Sequence, residues 1–232
     1  GDPYPYLSER VGTLEGDFLH ISSQNSADVV YYGGNQDWFA DLAWQLDALL
    51  SGEAAYHELE QLANTACGIT CASDIFAYLS LHNTDYSNAY TGDFSQLDYT
   101  NYMYDMSEYV EIASIPWDLP EIGGFRGSLG VSDNRYETGV ENYAEDVVGV
   151  NLDASCQSLL FMRNDTIMRL IRDSIDSGYP VAMRIFLLLD SIEADLIASP
   201  EENAEPTSNM SRHWVTIVGY EYNSATSEMS LM

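Results

Sequence analysis

The sequence contains no lysine among its 232 residues, and its eight basic residues, all arginines, stand against 37 acidic ones. An average chain of this length would contain roughly a dozen lysines. Two explanations stay open. Either the protein is acid-rich with an unusual composition, or lysines were chemically modified and dropped out of the sequence as determined, which an intact mass clearly above 25.9 kDa would reveal. In both cases no basic cluster is present to neutralise phosphates, so we expect no nucleic-acid partner.

Cysteines and long apolar runs are also scarce. Cys67, Cys71 and Cys156 are too few for a disulfide framework, and their odd number leaves at least one thiol unpaired. Cys67 and Cys71 are one helical turn apart, which orients their Cβ atoms poorly for a bridge, and a metal site there lacks nearby third and fourth ligands. No run reaches the roughly 18 apolar residues of a membrane helix. We therefore expect no metal, no cofactor and no membrane span.

Hydrophobic periodicity predicts helices early in the chain and strands late. Apolar residues at steps of three and four predict helices over 37–50, around 54–62, from Cys67 to Leu79, and after the Asn164-Asp165 pair. Strands are predicted at 181–188 and 213–222. This order favours an α+β fold over alternating βαβ units.

We interpret the chain as a single domain with four parts. Turn-rich residues open it, and a tyrosine-rich stretch over 83–110 is typical of an exposed, ordered loop with short helical pieces. The four parts are a surface arm at 1–35, a helical lobe at 37–110, an irregular connection at 111–163, and a helix plus β-sheet lobe at 164–232.

Cys67 is placed where a thiol can act as a nucleophile. It directly precedes an apolar helical stripe, and a helix N-terminus offers a positive dipole end and unpaired N–H groups. Gly68 leaves the backbone beside the thiol open to an incoming carbonyl oxygen. Gln61, six residues earlier, carries an amide that could donate to a developing oxyanion.

A cysteine nucleophile also needs a histidine held by a rigid element. His20 lies in the polar arm, His57 in a short helix, and His82 at the far end of the Cys67 helix, about 20 Å away by helix rise. His213 alone begins a well-defined strand, so we predict His213 as the base.

These residues lie in two segments that resemble one family. Gln61-Leu-Ala-Asn-Thr-Ala-Cys67-Gly68 and the helix after it resemble the nucleophile segment of papain-like cysteine peptidases, especially their bacterial C39-like branch. Gly178-Tyr-Pro-Val181 followed by Arg212-His213-Trp-Val-Thr-Ile-Val-Gly219 resembles the later half of the same branch. The two stretches cover about 50 residues, and the combined spacing and order carry the resemblance.

The resemblance implies a papain-like fold, in which a helical part carrying the nucleophile helix packs on a C-terminal antiparallel sheet that carries the His strand. It further implies catalytic Cys67 and His213, Gln61 as oxyanion donor, a peptide or protein substrate, and a secreted or cell-surface location. The chain departs from the family at the residue that orients the histidine. Asn223 is a weak candidate because it falls in a turn, and the orienting residue is otherwise unknown.

Three functions remain open from the sequence. The first is a cysteine peptidase or related thiol acyl-hydrolase. The second is a catalytically inactive papain-like binding module with a tyrosine-rich contact surface. The third is a transglutaminase-like acyl transferase, which shares the order of cysteine and histidine.

Overall fold

The computed structural model describes residues 11–14, 18–24, 29–40, 52–112, 130–159, 162–188, 210–223 and 228–232. These residues combine helices with antiparallel strand pairs. The mixture confirms the α+β class expected from the sequence.

Five α-helices lie in the described residues: α1 Glu53–Thr65, α2 Cys67–His82, α3 Gln96–Ser107, α4 Asp133–Tyr143 and α5 Asn164–Asp176. Short 3-10 segments span Gln36–Ala40 and Thr84–Tyr86, and α4 continues into a π-helical turn at Ala144–Val148. Serine caps fix two helix starts, since Ser95 accepts from the Asp98 N–H and Ser132 from the Arg135 N–H. Gly178, with φ near +85°, follows the Ser177 C-cap and supplies the left-handed conformation that commonly ends a helix.

The described strands form three small sheets. They are β1 Val11–Thr13, β2 His20–Ser22, β3 Val30–Tyr32, β4 Val181–Leu188, β5 Met210–Ile217, β6 Gly219–Asn223 and β7 Glu228–Leu231. β4 pairs with β5, β2 with β3, and β6 lies between β1 and β7, always antiparallel. Helix α2 runs through the centre of the core, where it packs against α3 and β5.

The strand predicted over 213–222 is two strands in different sheets. β5 ends at Ile217 and β6 begins at Gly219. At Val218 the chain leaves its partner β4, because the Val218 N–H donates to Met232 O and Val218 O accepts from the Leu14 N–H. The alternating pattern runs through both strands, so periodicity could not reveal the change of partner.

The prediction of a surface arm at 1–35 is wrong for the residues of this segment that the structure describes. Leu14, Phe18, Leu19 and Ile21 are buried, and β1, β2 and β3 all lie within 11–32. Each of these strands has three residues, which is too short to produce a recognisable alternation. Of the helix predicted over 37–50, residues 36–40 form a 3-10 helix and 41–50 lie outside the described residues.

The tyrosine-rich stretch is a core region, which corrects the predicted contact surface. Tyr90, Tyr99 and Tyr102 are at most 8% exposed, and their rings pack edge-on or tilted against one another. Most of this packing comes from α3, where the sequence predicted only short helical pieces. Each ring buries a large apolar area, and the Tyr90 and Tyr99 hydroxyls donate to Asp98 and Asp74, so a polar-looking sequence can form a core.

The connection expected to be irregular over 111–163 also contains a long helix in its described part. In α4, Tyr136, Val140 and Tyr143 are buried on one face. Gly139 lies where a Cβ would come 2.6 Å from the Tyr109 carbonyl oxygen, so this glycine permits close packing. The surrounding turn residues concealed the helical spacing of these three side chains.

Candidate active site

A cleft of about 710 Å³ opens between the start of α2, strand β5 and the segment that precedes the first 3-10 helix. Both Cys67 and His213 line it. The other lining residues come from distant parts of the chain: Phe18, Tyr32, Gly34, Asn35, Gln36, Asp37, Thr70, Cys71, Asp74, Trp214, Val215, Thr216, Val218 and Met232. The cleft is therefore assembled by tertiary packing.

Cys67 is the first residue of α2 and is half-buried. The backbone N–H of Trp214 donates to its sulfur, with N and Sγ 3.4 Å apart. One turn further, the buried Cys71 Sγ lies 3.6 Å from Val215 O. Both thiols are unbridged, and both contact backbone atoms of β5.

The Trp214 side chain joins β5 to the segment around α4 and to β4. Its indole N–H donates to Val131 O at 2.9 Å, and its ring stacks on Tyr136 with the centroids 4.2 Å apart. The guanidinium of Arg184 lies 5.7 Å from the indole centroid and also pairs with Asp133 at 2.8 Å. Strand β5 is thus held in place beside Cys67 by a buried aromatic anchor.

Gly68 is required by this packing. A Cβ at position 68 would come 2.7 Å from Cβ of Val131 and 3.1 Å from Cδ1 of Trp214. The sequence suggested that this glycine clears the approach to the thiol. The structure gives it a packing role, because a larger residue would separate the helix from the strand.

His213 lies on β5 opposite Ile185 of β4 and is half-buried in the cleft. Its ring makes no hydrogen bond to any described residue. His20 and His82 are exposed and do not line the cleft, and the side chain of His57 lies outside the described residues. Among the histidines with described side chains, His213 alone shares the cleft with Cys67.

Burial shifts the pKa of both residues toward their neutral forms. It raises the pKa of the Cys67 thiol, an effect that the backbone N–H groups of Trp214 and Gly68 partly offset. Burial lowers the pKa of His213 below its ordinary 6.5. The resting site therefore holds a thiol and a neutral imidazole at pH 7.

Two other candidates from the sequence lie outside the cleft lining. Gln61 is half-buried in α1, and its carbonyl oxygen accepts a 2.6 Å hydrogen bond from the Thr65 hydroxyl. Asn223 is exposed at the end of β6, opposite Glu228. The structure thus brings Cys67 and His213 together but does not bring Gln61 or Asn223 to them.

Sequence reasoning missed Asp74, which lines the cleft two helical turns after Cys67. Its side chain is buried, and Oδ1 accepts from the Gly34 N–H at 2.7 Å and from the Tyr99 hydroxyl at 2.8 Å. Burial raises the pKa of this carboxyl to about 7, because the two hydrogen bonds offset only part of the desolvation. The available signal in the sequence was an aspartate within an otherwise largely apolar helix, because an aspartate in such a place is rarely buried unless it has a partner or a role.

No group of three or more His, Cys, Asp or Glu side chains within the described residues is arranged to hold a metal ion. No described helix has both the length and the apolar character needed to cross a bilayer. Comparisons with protein-family models, curated proteins and solved structures found no match. Any function must therefore be inferred from the site itself.

Proposed function

We propose that this protein is a cysteine peptidase, or a related thiol acyl-hydrolase, with a papain-like arrangement of Cys67 and His213. The observation that carries the proposal is their shared cleft, in which the thiol begins a buried helix and the imidazole lies on the adjacent strand. The resemblance of both segments to papain-like peptidases supports the same roles. A cleft of about 710 Å³ has the size of an ordinary ligand site.

The neutral forms of both groups suit a general-base mechanism. His213 takes the Cys67 proton as the sulfur attacks the substrate carbonyl, and the resulting imidazolium gives that proton to the leaving amine. The C–N bond breaks and an acyl-enzyme remains on sulfur. Water then attacks the acyl carbon, His213 accepts its proton and returns it to sulfur, and a carboxylic acid leaves. The low pKa of His213 keeps the base unprotonated at neutral pH.

Oxyanion stabilisation is assigned to the start of α2 and to Gln61. The N–H groups at a helix N-terminus are free of intrahelical partners and can donate to a developing oxyanion. Gln61 remains a predicted donor from the resemblance, and its amide would have to turn into the cleft to act. A Gln61→Ala variant tests this role, with an expected fall in kcat of roughly 100-fold for the loss of one oxyanion donor.

The second candidate is a catalytically silent binding module that uses the same cleft. Two observations favour it: the pKa of Cys67 is raised, and no described residue orients the His213 ring by a hydrogen bond. A misoriented imidazole can cost a cysteine or serine enzyme several orders of magnitude in kcat. The transglutaminase-like alternative uses the same two residues and differs in whether an amine or water accepts the acyl group.

Covalent labelling separates these functions. A peptidyl fluoromethyl ketone is incubated with the wild type and with Cys67→Ala, His213→Gln and Cys156→Ala variants, and the labelled residue is located by mass spectrometry. Labelling at Cys67 that His213→Gln abolishes and Cys156→Ala leaves intact supports the enzyme. Labelling of the wild type no faster than that of a model thiol contradicts it. Amine incorporation into a cleaved peptide would instead identify a transferase.

A further inference from the structure

We infer that the inner end of this cleft, around Asp74, binds a guanidinium group, so that the favoured peptide carries an arginine close to the bond presented to Cys67. This inference deepens the proposed function, and it rests on that function only in treating the bound peptide as a substrate. The binding site itself stands on separate observations.

Asp74 provides a carboxylate without a charged partner. Oδ1 accepts both of its hydrogen bonds, from Gly34 and Tyr99, and no described residue donates to Oδ2. No arginine with a described side chain forms an ion pair with it. Gly33 keeps this oxygen clear, since a Cβ there would lie 2.9 Å from Oδ2. The cleft wall thus holds a buried carboxylate with hydrogen bonds to only one of its two oxygens, and a bound cation would supply a donor to the other and balance the charge.

Two further buried oxygens in the cleft lining also lack partners. Thr70 Oγ1 and Gln36 Oε1 are buried without a hydrogen bond to any described residue, and both residues line the cleft. Thr70 lies on α2 between Cys67 and Asp74, three residues after the first and four before the second, so all three share one helix face. A buried acceptor without a donor is unusual in a native protein and needs an explanation.

The chemistry of these three groups selects the ligand. A carboxylate and two neutral oxygens are short of donors. A guanidinium is a planar group with five N–H donors and no acceptor, whereas an ammonium offers three donors from a point charge. The guanidinium can place two parallel bonds on one carboxylate and still donate to a neighbouring oxygen.

The distance along α2 suits an arginine side chain. Seven residues of helix place Asp74 about 10 Å from Cys67 along the axis. An arginine has a three-methylene stem and a guanidinium, so it covers most of that distance when its carbonyl lies at the thiol. The apolar side chains of Phe18 and Val218 line the same cleft and can cover the stem. The net charge of −29 also raises the local concentration of cationic peptides.

Binding to a protein that cannot turn over tests the site. Cys67→Ala protein is titrated, by fluorescence anisotropy, with labelled hexa-alanine peptides that carry arginine at one position, each matched by a peptide with citrulline there. Citrulline has the same shape without the charge. We expect the best arginine peptide to bind about tenfold more tightly than its citrulline partner. Equal affinities at every position would overturn the inference.

Two substitutions in the Cys67→Ala background locate the effect. Asp74→Asn retains an oxygen that can accept from Gly34 and Tyr99 but removes the charge, and it should abolish the arginine preference. Asp153→Asn, at an exposed position away from the cleft, should retain it. If Asp74→Asn does not fold, Thr70→Val is the replacement, with an expected weakening of arginine binding. An arginine preference that persists in the folded Asp74→Asn variant, or in Thr70→Val at full strength, contradicts the site.

The outcome is independent of catalysis. An arginine preference in the absence of Cys67 labelling would sustain the binding site and reject the peptidase. Labelling of Cys67 without an arginine preference would sustain the peptidase and reject the site.

Discussion

The indole ring of Trp214 lies nearly parallel to the phenol ring of Tyr136, with an interplanar angle of 11°, while the backbone N–H of the same tryptophan donates to the sulfur of Cys67. A single residue therefore joins the buried core to the proposed nucleophile. Loosening the ring would move the hydrogen bond that reaches the thiol.

Replacement of Trp214 by alanine tests this connection. We expect a loss of about 3–5 kcal/mol in the free energy of unfolding, since a large buried ring leaves a cavity, and slower labelling of Cys67 in the fraction that folds. Urea denaturation followed by circular dichroism measures the first effect. Tyr179→Ala, at a residue that is 45% exposed, is the control and should change stability little. A stable Trp214→Ala variant with unchanged labelling would contradict the anchor role.

Gly68→Ala should destabilise the protein by about 1–3 kcal/mol, because the new methyl group would overlap Val131 and press on Trp214. In an ordinary helix interior the same change is favourable, so the sign of the effect is diagnostic. The midpoint of thermal unfolding provides the measurement. Asn101→Ala, on the exposed side of α3, serves as the comparison.

His213 should titrate below pH 6.5, because burial disfavours its charged form. The ring is then neutral and able to accept a proton at pH 7, so labelling of Cys67 should persist as the pH falls to 6.5 and decline only below the His213 pKa. The Hε1 resonance of His213 in an NMR titration, assigned with His213→Gln, gives the midpoint. A midpoint above 7 would indicate an imidazolium paired with a thiolate, and the resting state described above would be wrong.

Asp74 makes stability depend on pH. Its folded-state pKa of about 7 exceeds its ordinary value of 3.8, so the folded protein favours the proton, and stability falls as the pH rises from about 4 through 7. Among the groups around it, burial raises the pKa of Tyr99 and of Cys71, which therefore stay neutral in this window. His213 and Asp37 line the same cleft. His213 loses its charge as the pH rises, and burial places that change below pH 6.5.

We therefore expect Asp74→Asn to be more stable than the wild type at pH 8, by an amount on the order of a few kcal/mol, and to lose this advantage near pH 4. Urea denaturation at both pH values gives the comparison. Asp153→Asn, which removes one exposed carboxylate, is the control for the change in net charge. A variant that is less stable than the wild type at pH 8 would mean that the Asp74 charge has a partner.

The sequence predicted those elements whose signal is local. Helix α2 begins at Cys67 as expected because a continuous apolar stripe follows it. β4 spans the predicted 181–188 because a proline precedes a run that is apolar except at Arg184. His213 lies in a strand as predicted, but the predicted start is wrong, because β5 begins at Met210. These features depend on neighbours within a few residues.

The parts that escaped prediction depend on distant neighbours. Nothing local to Asp74 indicates that it meets Gly34, 40 positions away, and Tyr99, 25 positions away. The tyrosines of α3 were assigned to the surface because composition does not reveal which rings meet. The short strands β1 and β2 become strands only through their partners β6 and β3.

The residues of the cleft wall lie far apart in the chain, and this spacing determines when the site can form during synthesis. Phe18 and Gly34 emerge from a ribosome well before His213 and Val218, and β1 must wait for β6 before it has a partner. A nascent chain that carries Cys67 but lacks residues 210–223 has a thiol without its proposed base and without the Trp214 hydrogen bond. The proposed nucleophile and base therefore meet only after both segments have been made.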